Sequence, residues 1–200
     1  MDILIGTGNA GKLREYEELL AGLPVRCLSL RDVGLADMEV SEDGTTLEAN
    51  AGAKVAAYAQ ASGLLTLADD TGLFVDALGG EPGVYPARYG GSGLTTAQRR
   101  QKLLRELGSA PFAQRTARFV CVIALAQPGL DAVTTVKGIC EGHIALVEDD
   151  GDNGFGYDPI FIPQGYDIAW SSVPAEEKNR ISHRGQAARQ IIPILEQLAT

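Results

Sequence analysis

Short apolar runs alternate with amphipathic stretches over the first half of the chain, and apolar runs dominate the middle. Ile3 to Ile5 reads as a short buried strand that opens directly into a glycine-rich turn. From about Lys12 to Leu20, the residues Leu13, Tyr16, Leu19 and Leu20 share one helical face, and Gly22 with Pro24 closes the helix. Val25 to Leu30 suits a second strand. An acidic loop from Glu39 to Gly44 leads into Thr45-Thr46-Leu47-Glu48, which fits a capping box, and an alanine-rich helix runs from there to about Ser62, with Gly63 as its stop.

Leu64 to Ala68 predicts a strand ending in Asp69-Asp70-Thr71-Gly72, with Leu73 to Val75 extended beyond it. A loop of glycine, proline and tyrosine covers residues 79 to 93. Helix resumes near Thr96, burying Leu103, Leu104 and Leu107, and ends at Gly108. Arg118 to Ala126 is apolar after its first residue, as a central strand covered on both faces should be. Val133 to Val147 reads as further sheet, broken at Gly138 and Gly142. A glycine-aromatic loop from Gly151 to Pro163 and a polar stretch precede a last helix from about Gln186, which Pro193 kinks or divides. The class is mixed α/β.

Two hundred residues suit a single domain over 1–200. The net charge of −9 argues against a nucleic-acid partner, but leaves open a small polyanion held by locally converging basic groups. Cys27, Cys121 and Cys140 have no metal-ligand spacing and read as reduced thiols of a cytoplasmic protein. The start of the chain carries no basic leader, and no apolar stretch reaches membrane-spanning length, so no membrane partner is expected.

The turn Gly6-Thr7-Gly8-Asn9-Ala10-Gly11-Lys12 fits two patterns. Gly6, Gly8 and Gly11 have the dinucleotide spacing after a strand, and Asp32 could serve as the ribose ligand. Gly6, Gly11 and Lys12 also match a phosphate loop, except that Leu13 stands where a magnesium-binding hydroxyl belongs. Both patterns share one physics: small residues bring backbone N–H groups to a phosphate at a helix N-terminus, and Lys12 adds charge. A tight turn with a solvated lysine is the plainer explanation. Asp69 and Asp70, one or both exposed at a strand end, could hold a hard cation or take a proton from water; a turn built by aspartate side chains is the alternative. Glu42 and Asp43 could add a ligand.

Seven segments recur in order: Thr7–Lys12, Glu48-Ala-Asn50-Ala-x-x-Lys54, Leu67-Ala-Asp-Asp-Thr-Gly-Leu73, Asp76-Ala-Leu-Gly-Gly-x-Pro-Gly83, Ala87-Arg-Tyr89, Gly154-Phe-Gly-Tyr-Asp-Pro-Ile-Phe161 and Ser182-His-Arg-Gly185. Over essentially the whole chain this resembles the inosine/xanthosine triphosphate pyrophosphatase family. The resemblance implies an elongated mixed β-sheet flanked by helices, with two lobes around a substrate cleft, in a cytoplasmic homodimer. It implies magnesium-dependent hydrolysis of inosine and xanthosine triphosphates, ribo or deoxy, to monophosphate and diphosphate, which cleanses the nucleotide pool. By it, Thr7, Gly8, Asn9, Ala10, Gly11 and Lys12 bind the triphosphate, and Lys54 reaches the phosphates. Asp70 is proton acceptor and metal ligand, with Glu42 a second metal candidate, and Thr71 touches substrate. Phe155, Gly156, Tyr157 and Asp158 form the base loop, and Lys178, His183 and Arg184 make further substrate contacts. The segment Thr46-Leu-Glu-Ala-Asn-Ala51 departs from the family's usual Thr-Phe-Glu-Glu-Asn-Ala, and Ser41 stands where some members are acidic.

Three rivals frame that expectation: a pyrophosphatase for other modified nucleotides, a nucleotide sensor without turnover, and an NAD-binding oxidoreductase resting only on glycine spacing. His143, inside a strand, reads as structural. Trp170 reads as packing, and Arg99, Arg100, Lys102 and Arg105 as a solvated helix face. Phe155, between two glycines, is placed to stack on a base rather than to fill the core.

Overall fold

The computed structural model describes residues 1–130 and 132–199. Its sheet strands are β1 (Asp2–Ile5), β2 (Arg26–Leu28), β3 (Thr66–Val75), β4 (Pro82–Gly83), β5 (Thr116–Ala126), β6 (Val133–Ile144) and β7 (Phe161–Pro163). The α-helices are α1 (Ala10–Leu19), α2 (Leu47–Ser62), α3 (Thr96–Leu107), α4 (Ala175–Ile181) and α5 (His183–Leu198). Hydrogen bonding orders the strands β2-β1-β3-β5-β6-β7, with β4 on β3. β1 is parallel to β2 and β3, whereas β3–β4 and β6–β7 are antiparallel, so the sheet is mixed as expected.

The chain forms two compact units. One comprises Met1–Asp70, Cys121–Gly138 and the chain from His183 onward; the other comprises Thr71–Val120 and Ile139–Ser182.

In the first unit, side-chain alternation sorts the strands into two faces. Ile3 and Ile5, Leu65 and Leu67, and Cys121, Ile123 and Leu125 pack with Tyr16 of α1, with Leu20 just after it, and with Ala187, Ala188, Ile191 and Leu195 of α5. Leu4 points the other way and packs with Leu30 and with Tyr58 of α2. Both faces are covered, which is why these strands read as continuous apolar runs. In the second unit, Trp170 is fully buried and stacks on Phe119 at 5.2 Å, while Phe161 meets Phe119 edge-on at 4.8 Å. Leu73, Val75, Leu103 and Leu107 join that core.

Several sequence expectations need correction. α2 is capped by Thr46, whose side chain accepts from Ala49 N–H, so Thr45 and Glu48 form no capping box; Glu48 pairs with Lys137 at 3.3 Å instead. α4 occupies the stretch read as polar loop, α5 begins at His183, and Pro193 lies inside it without dividing it. Leu104 is only partly buried. β6 runs unbroken through Gly138 and Gly142. Those glycines mark close approach rather than breaks. A Cβ on Gly138 would stand 2.0 Å from the His183 carbonyl oxygen, and one on Gly142 2.3 Å from that of Ile162.

Gly138→Ala must therefore push back the first turn of α5, and should cost about 1–3 kcal/mol or more. Gly52, inside α2 with nothing near its missing Cβ, is the opposite case: Gly52→Ala should stabilise by about 0.5–1 kcal/mol through helix propensity. Urea unfolding of both variants checks the signs.

Candidate active site

Asp69 and Asp70 are not exposed at a strand tip, as expected, but buried within the continuous strand β3, at 2% and 6% exposure. The ladder carries on through them, and alternation sends consecutive side chains to opposite faces. Asp69 shares the face of Leu65 and Leu67. There it meets Lys12 of α1 at 2.9 Å, Arg184 of α5 at 3.2 Å and the Cys121 thiol at 3.6 Å. Asp70 faces α2, accepting from Asn50 Nδ2 at 3.0 Å and from Lys54 Nζ at 3.3 Å.

The two environments pull the carboxyl groups apart. Burial pushes Asp69 up, but Lys12, Arg184 and Lys54 outweigh it and hold the group well below the ordinary range. For Asp70 burial wins over Lys54, Lys12 and Asn50, the neighbouring Glu42 charge adds to it, and the group is raised. Two adjacent carboxyl groups are thus shifted in opposite directions, each by the helix residues and burial on its own side of the strand.

Helix α2 delivers Asn50 and Lys54, four residues apart on one face. Lys54 Nζ is also 2.6 Å from Glu42 Oε2, so one ammonium sits against two carboxylates. Burial pushes Glu42 up, yet the closer contact with Lys54 lowers it overall. Lys54 is itself raised: burial disfavours its charge, but Asp70, Asp69 and Glu42 more than offset this. The acidic loop is anchored here because Asn50 Oδ1 accepts from Gly44 N–H at 2.8 Å. Asn50, which the sequence places four residues from Lys54 on one helix face but gives no role, is thus part of the site.

The glycine-rich turn reaches α1 earlier than expected, with Asn9 as N-cap. Asn9 Oδ1 accepts from the N–H groups of Gly11 and Lys12 at 2.8 and 3.1 Å, and Thr7 Oγ1 accepts from Asn9 N–H at 3.2 Å. Two donors of the anion-binding helix start are therefore held by an internal oxygen. Ala10 and Gly11 form the first turn, and Gly8 is exposed before it. Asp32 does not serve the glycine turn; it accepts from the N–H and hydroxyl of Ser29 in a local turn, which removes the ribose ligand the dinucleotide reading required.

His183 and Arg184 open α5 and are both buried. The Arg184 guanidinium is 2% exposed, pairs with Glu15 as well as Asp69, and lies 5.9 Å over the Tyr16 ring. Glu15 gave no signal in the sequence beyond being one more charged helical residue.

In the second unit, Thr71 follows Asp70 half-buried in β3. The Gly154–Asp158 loop is built around Asp158, which is buried, accepts from Phe155 N–H at 2.6 Å and pairs with Lys178 at 2.7 Å. Lys178 Nζ lies 5.1 Å from the half-buried Phe155 ring and 5.4 Å from that of Trp170. The Tyr157 ring is buried and its hydroxyl donates to Pro86 O at 2.8 Å; burial pushes that hydroxyl up to about 12. The basic face of α3 is not simply solvated: Arg100 pairs with Glu148 and donates to the Gly156 carbonyl at 2.8 Å. His143 stacks on Phe112 at 4.7 Å, a structural role as expected.

A glycine turn capped into a helix, two lysines and an acidic pair converge here, an arrangement with the chemistry to take a phosphate-bearing ligand. The Ham1 family profile matches residues 3–194, and the chain belongs to the Ham1 family. It is 47% identical over 186 residues to the dITP/XTP pyrophosphatase of Geobacter sulfurreducens, covering 92% of each chain. It is 41% identical to that of Oceanobacillus iheyensis, covering 94% of this chain and 95% of the other. A HAM1 protein from Coxiella burnetii superposes with a TM-score of 0.86 at 38% identity, covering 98% of this chain and 99% of that one.

The divergent carboxyl groups predict opposite stability effects. Asp69 has a depressed folded-state value, so its contribution is present above the ordinary carboxylate value of 3.8 and is lost as pH falls below it. Asp69→Asn should cost about 3–5 kcal/mol at pH 7, and the gap from wild type should narrow below pH 4. Asp70 is raised, so its ionised form weakens the fold at neutral pH, and Asp70→Asn should match or exceed wild-type stability there. Thermal unfolding of both variants at several pH values gives the answer.

Proposed function

We propose that this chain hydrolyses inosine and xanthosine triphosphates, ribo or deoxy, to monophosphate and diphosphate, removing non-standard purines from the nucleotide pool. The observation that carries the reading is the buried cluster in which Asp70 accepts from Asn50 and Lys54 while Lys54 also pairs with Glu42. The relatives' names, dITP/XTP pyrophosphatase, supply the substrate class.

A divalent cation fits this group. Lys54 already places one positive charge against Glu42 and Asp70, and two carboxylates completed by substrate oxygens make a usual magnesium site. When bound, magnesium neutralises triphosphate oxygens and polarises the phosphorus under attack. Asp70 and Glu42 would hold it, and the Asp70 carboxylate, between Asn50 Nδ2 and Lys54 Nζ, is placed to orient the attacking water and take its proton. Thr7 to Lys12 cradle the phosphates, with Lys12 and Lys54 offsetting charge on the departing diphosphate. Asp69 and Arg184 keep Lys12 in place.

Base choice belongs to the Phe155–Asp158 loop with Lys178; the family resemblance also implies substrate contacts for His183 and Arg184, of which Arg184 is taken up by Glu15 and Asp69. Phe155 offers a ring for stacking, and a donor facing purine C6 accepts the oxygen of inosine and xanthosine but meets another donor in adenosine. A homodimer acting in the cytoplasm completes the proposal. No helix among the described residues is long and apolar enough to cross a membrane.

The deciding experiment incubates the protein with magnesium and inosine, xanthosine, guanosine or adenosine triphosphate and separates the products. Inosine triphosphate should give inosine monophosphate and diphosphate. Orthophosphate with the nucleoside diphosphate as main products would sink the assignment, and binding without turnover would favour the sensor. Asp70→Asn should lower kcat by at least about 100-fold. Wild-type turnover in that variant removes Asp70 from the mechanism.

A further inference from the structure

Arg100 sits on α3 in a row of basic residues whose pattern suggests solvent exposure, yet its side chain is only 14% exposed. Its guanidinium is divided between two acceptors. Nε donates to Glu148 Oε1 at 2.8 Å and Nη2 reaches the same oxygen, while Nη1 donates to the Gly156 carbonyl at 2.8 Å. Glu148 is held in turn, its other oxygen accepting from Gln101 Nε2 at 2.8 Å. A planar fork docked on one carboxylate has its remaining edge aimed in a fixed direction, and here that edge meets one backbone oxygen.

That oxygen belongs to the peptide between Gly156 and Tyr157. Gly156 has φ +65°, a left-handed conformation that gives the loop its sharp turn just after Phe155. The neighbouring anchors act on the flanks. Asp149 accepts from Gly151 N–H at 3.2 Å and from the Ser172 hydroxyl at 2.6 Å, Asp158 accepts from Phe155 N–H, and the Tyr157 hydroxyl is tied to Pro86. Arg100 acts on the peptide at the turn itself. Because a peptide is planar and trans, fixing its carbonyl also fixes the direction of the Tyr157 N–H at its other edge.

The geometry points to Arg100, braced by Glu148, as a positioning residue for base selection: it sets the Gly156–Tyr157 peptide, and so the presentation of the Phe155 ring and adjacent backbone to the purine. This rests on reading Phe155–Asp158 as the base loop. The Arg100 donors go to Glu148 and to the Gly156 carbonyl, so its loss should act on recognition of the base and spare the chemical step.

The test measures kcat and KM of the full chain for inosine and adenosine triphosphates in wild type, Arg100→Lys, Arg100→Ala and Glu148→Gln. A lysine ammonium is a single point and cannot reproduce the planar fork that grips Glu148 with two nitrogens while the third meets Gly156. Arg100→Lys should therefore raise KM for inosine triphosphate about tenfold, leave kcat within about threefold, and shrink the inosine-to-adenosine ratio of kcat/KM. Glu148→Gln should move the same quantities less far, and Arg100→Ala farther. Melting midpoints and Trp170 fluorescence report whether each variant is folded, and the two conservative variants stand if Arg100→Ala does not fold. Folded Arg100→Lys and Glu148→Gln with wild-type KM and selectivity overturn the inference alone. A fall in kcat for both nucleotides at unchanged KM marks a structural strut and also overturns it. Wild type that turns over neither triphosphate overturns the underlying reading.

Discussion

The site depends on the two-residue period of a single strand. Because β3 runs through Asp69 and Asp70 without a turn, neighbouring carboxylates must face opposite sides of the sheet and answer to different helices. One side offers Lys12 and Arg184 from α1 and α5; the other offers Asn50 and Lys54 from α2. Had the chain turned at Asp69, both groups would share one solvated environment and titrate alike. The opposite shifts of the two groups are thus a product of backbone geometry. The lysines are placed by helices whose apolar faces the same alternation recruits.

What the sequence disclosed about this arrangement depended on how local the signal was. The turn from Gly6 to Lys12, the Asn50–Lys54 spacing and the buried strands all follow from periodicity and composition, which act over a few residues. The continuity of β3 did not show, because two aspartates after an apolar run look like the end of a strand when their partners are distant in sequence. Lys12 and Arg184 neutralise Asp69 from opposite ends of the chain. Gly138 and Gly142 misled for the same reason: the contact that demands a glycine lies on another element, so locally each resembles a break. α4 was missed because its seven residues hold too little apolar pattern to stand out.

In the second unit, the loop carrying Phe155 is irregular backbone, yet it is held by buried charge. Asp158 with Lys178 and Arg100 with Glu148 place fixed ion pairs at its turn and flank. Charge-assisted bonds of this kind are directional, which hydrophobic packing is not, and a surface that must present one ring edge or one N–H needs direction. No glycine-aromatic motif announces Arg100. Only the fold brings α3 beneath Gly156.

The contact between Gly138 and the His183 carbonyl bears on how such a chain can diverge. Every coded replacement for glycine carries at least a Cβ, so polarity, size and charge are irrelevant at this position: all mutational neighbours meet the same obstacle. An inherited change there persists only alongside a second one that withdraws the start of α5, and with it His183 and Arg184. Lineages can therefore rewrite the exposed residues of β6 around this point with little penalty. The glycine itself stays tied to a motif far along the chain.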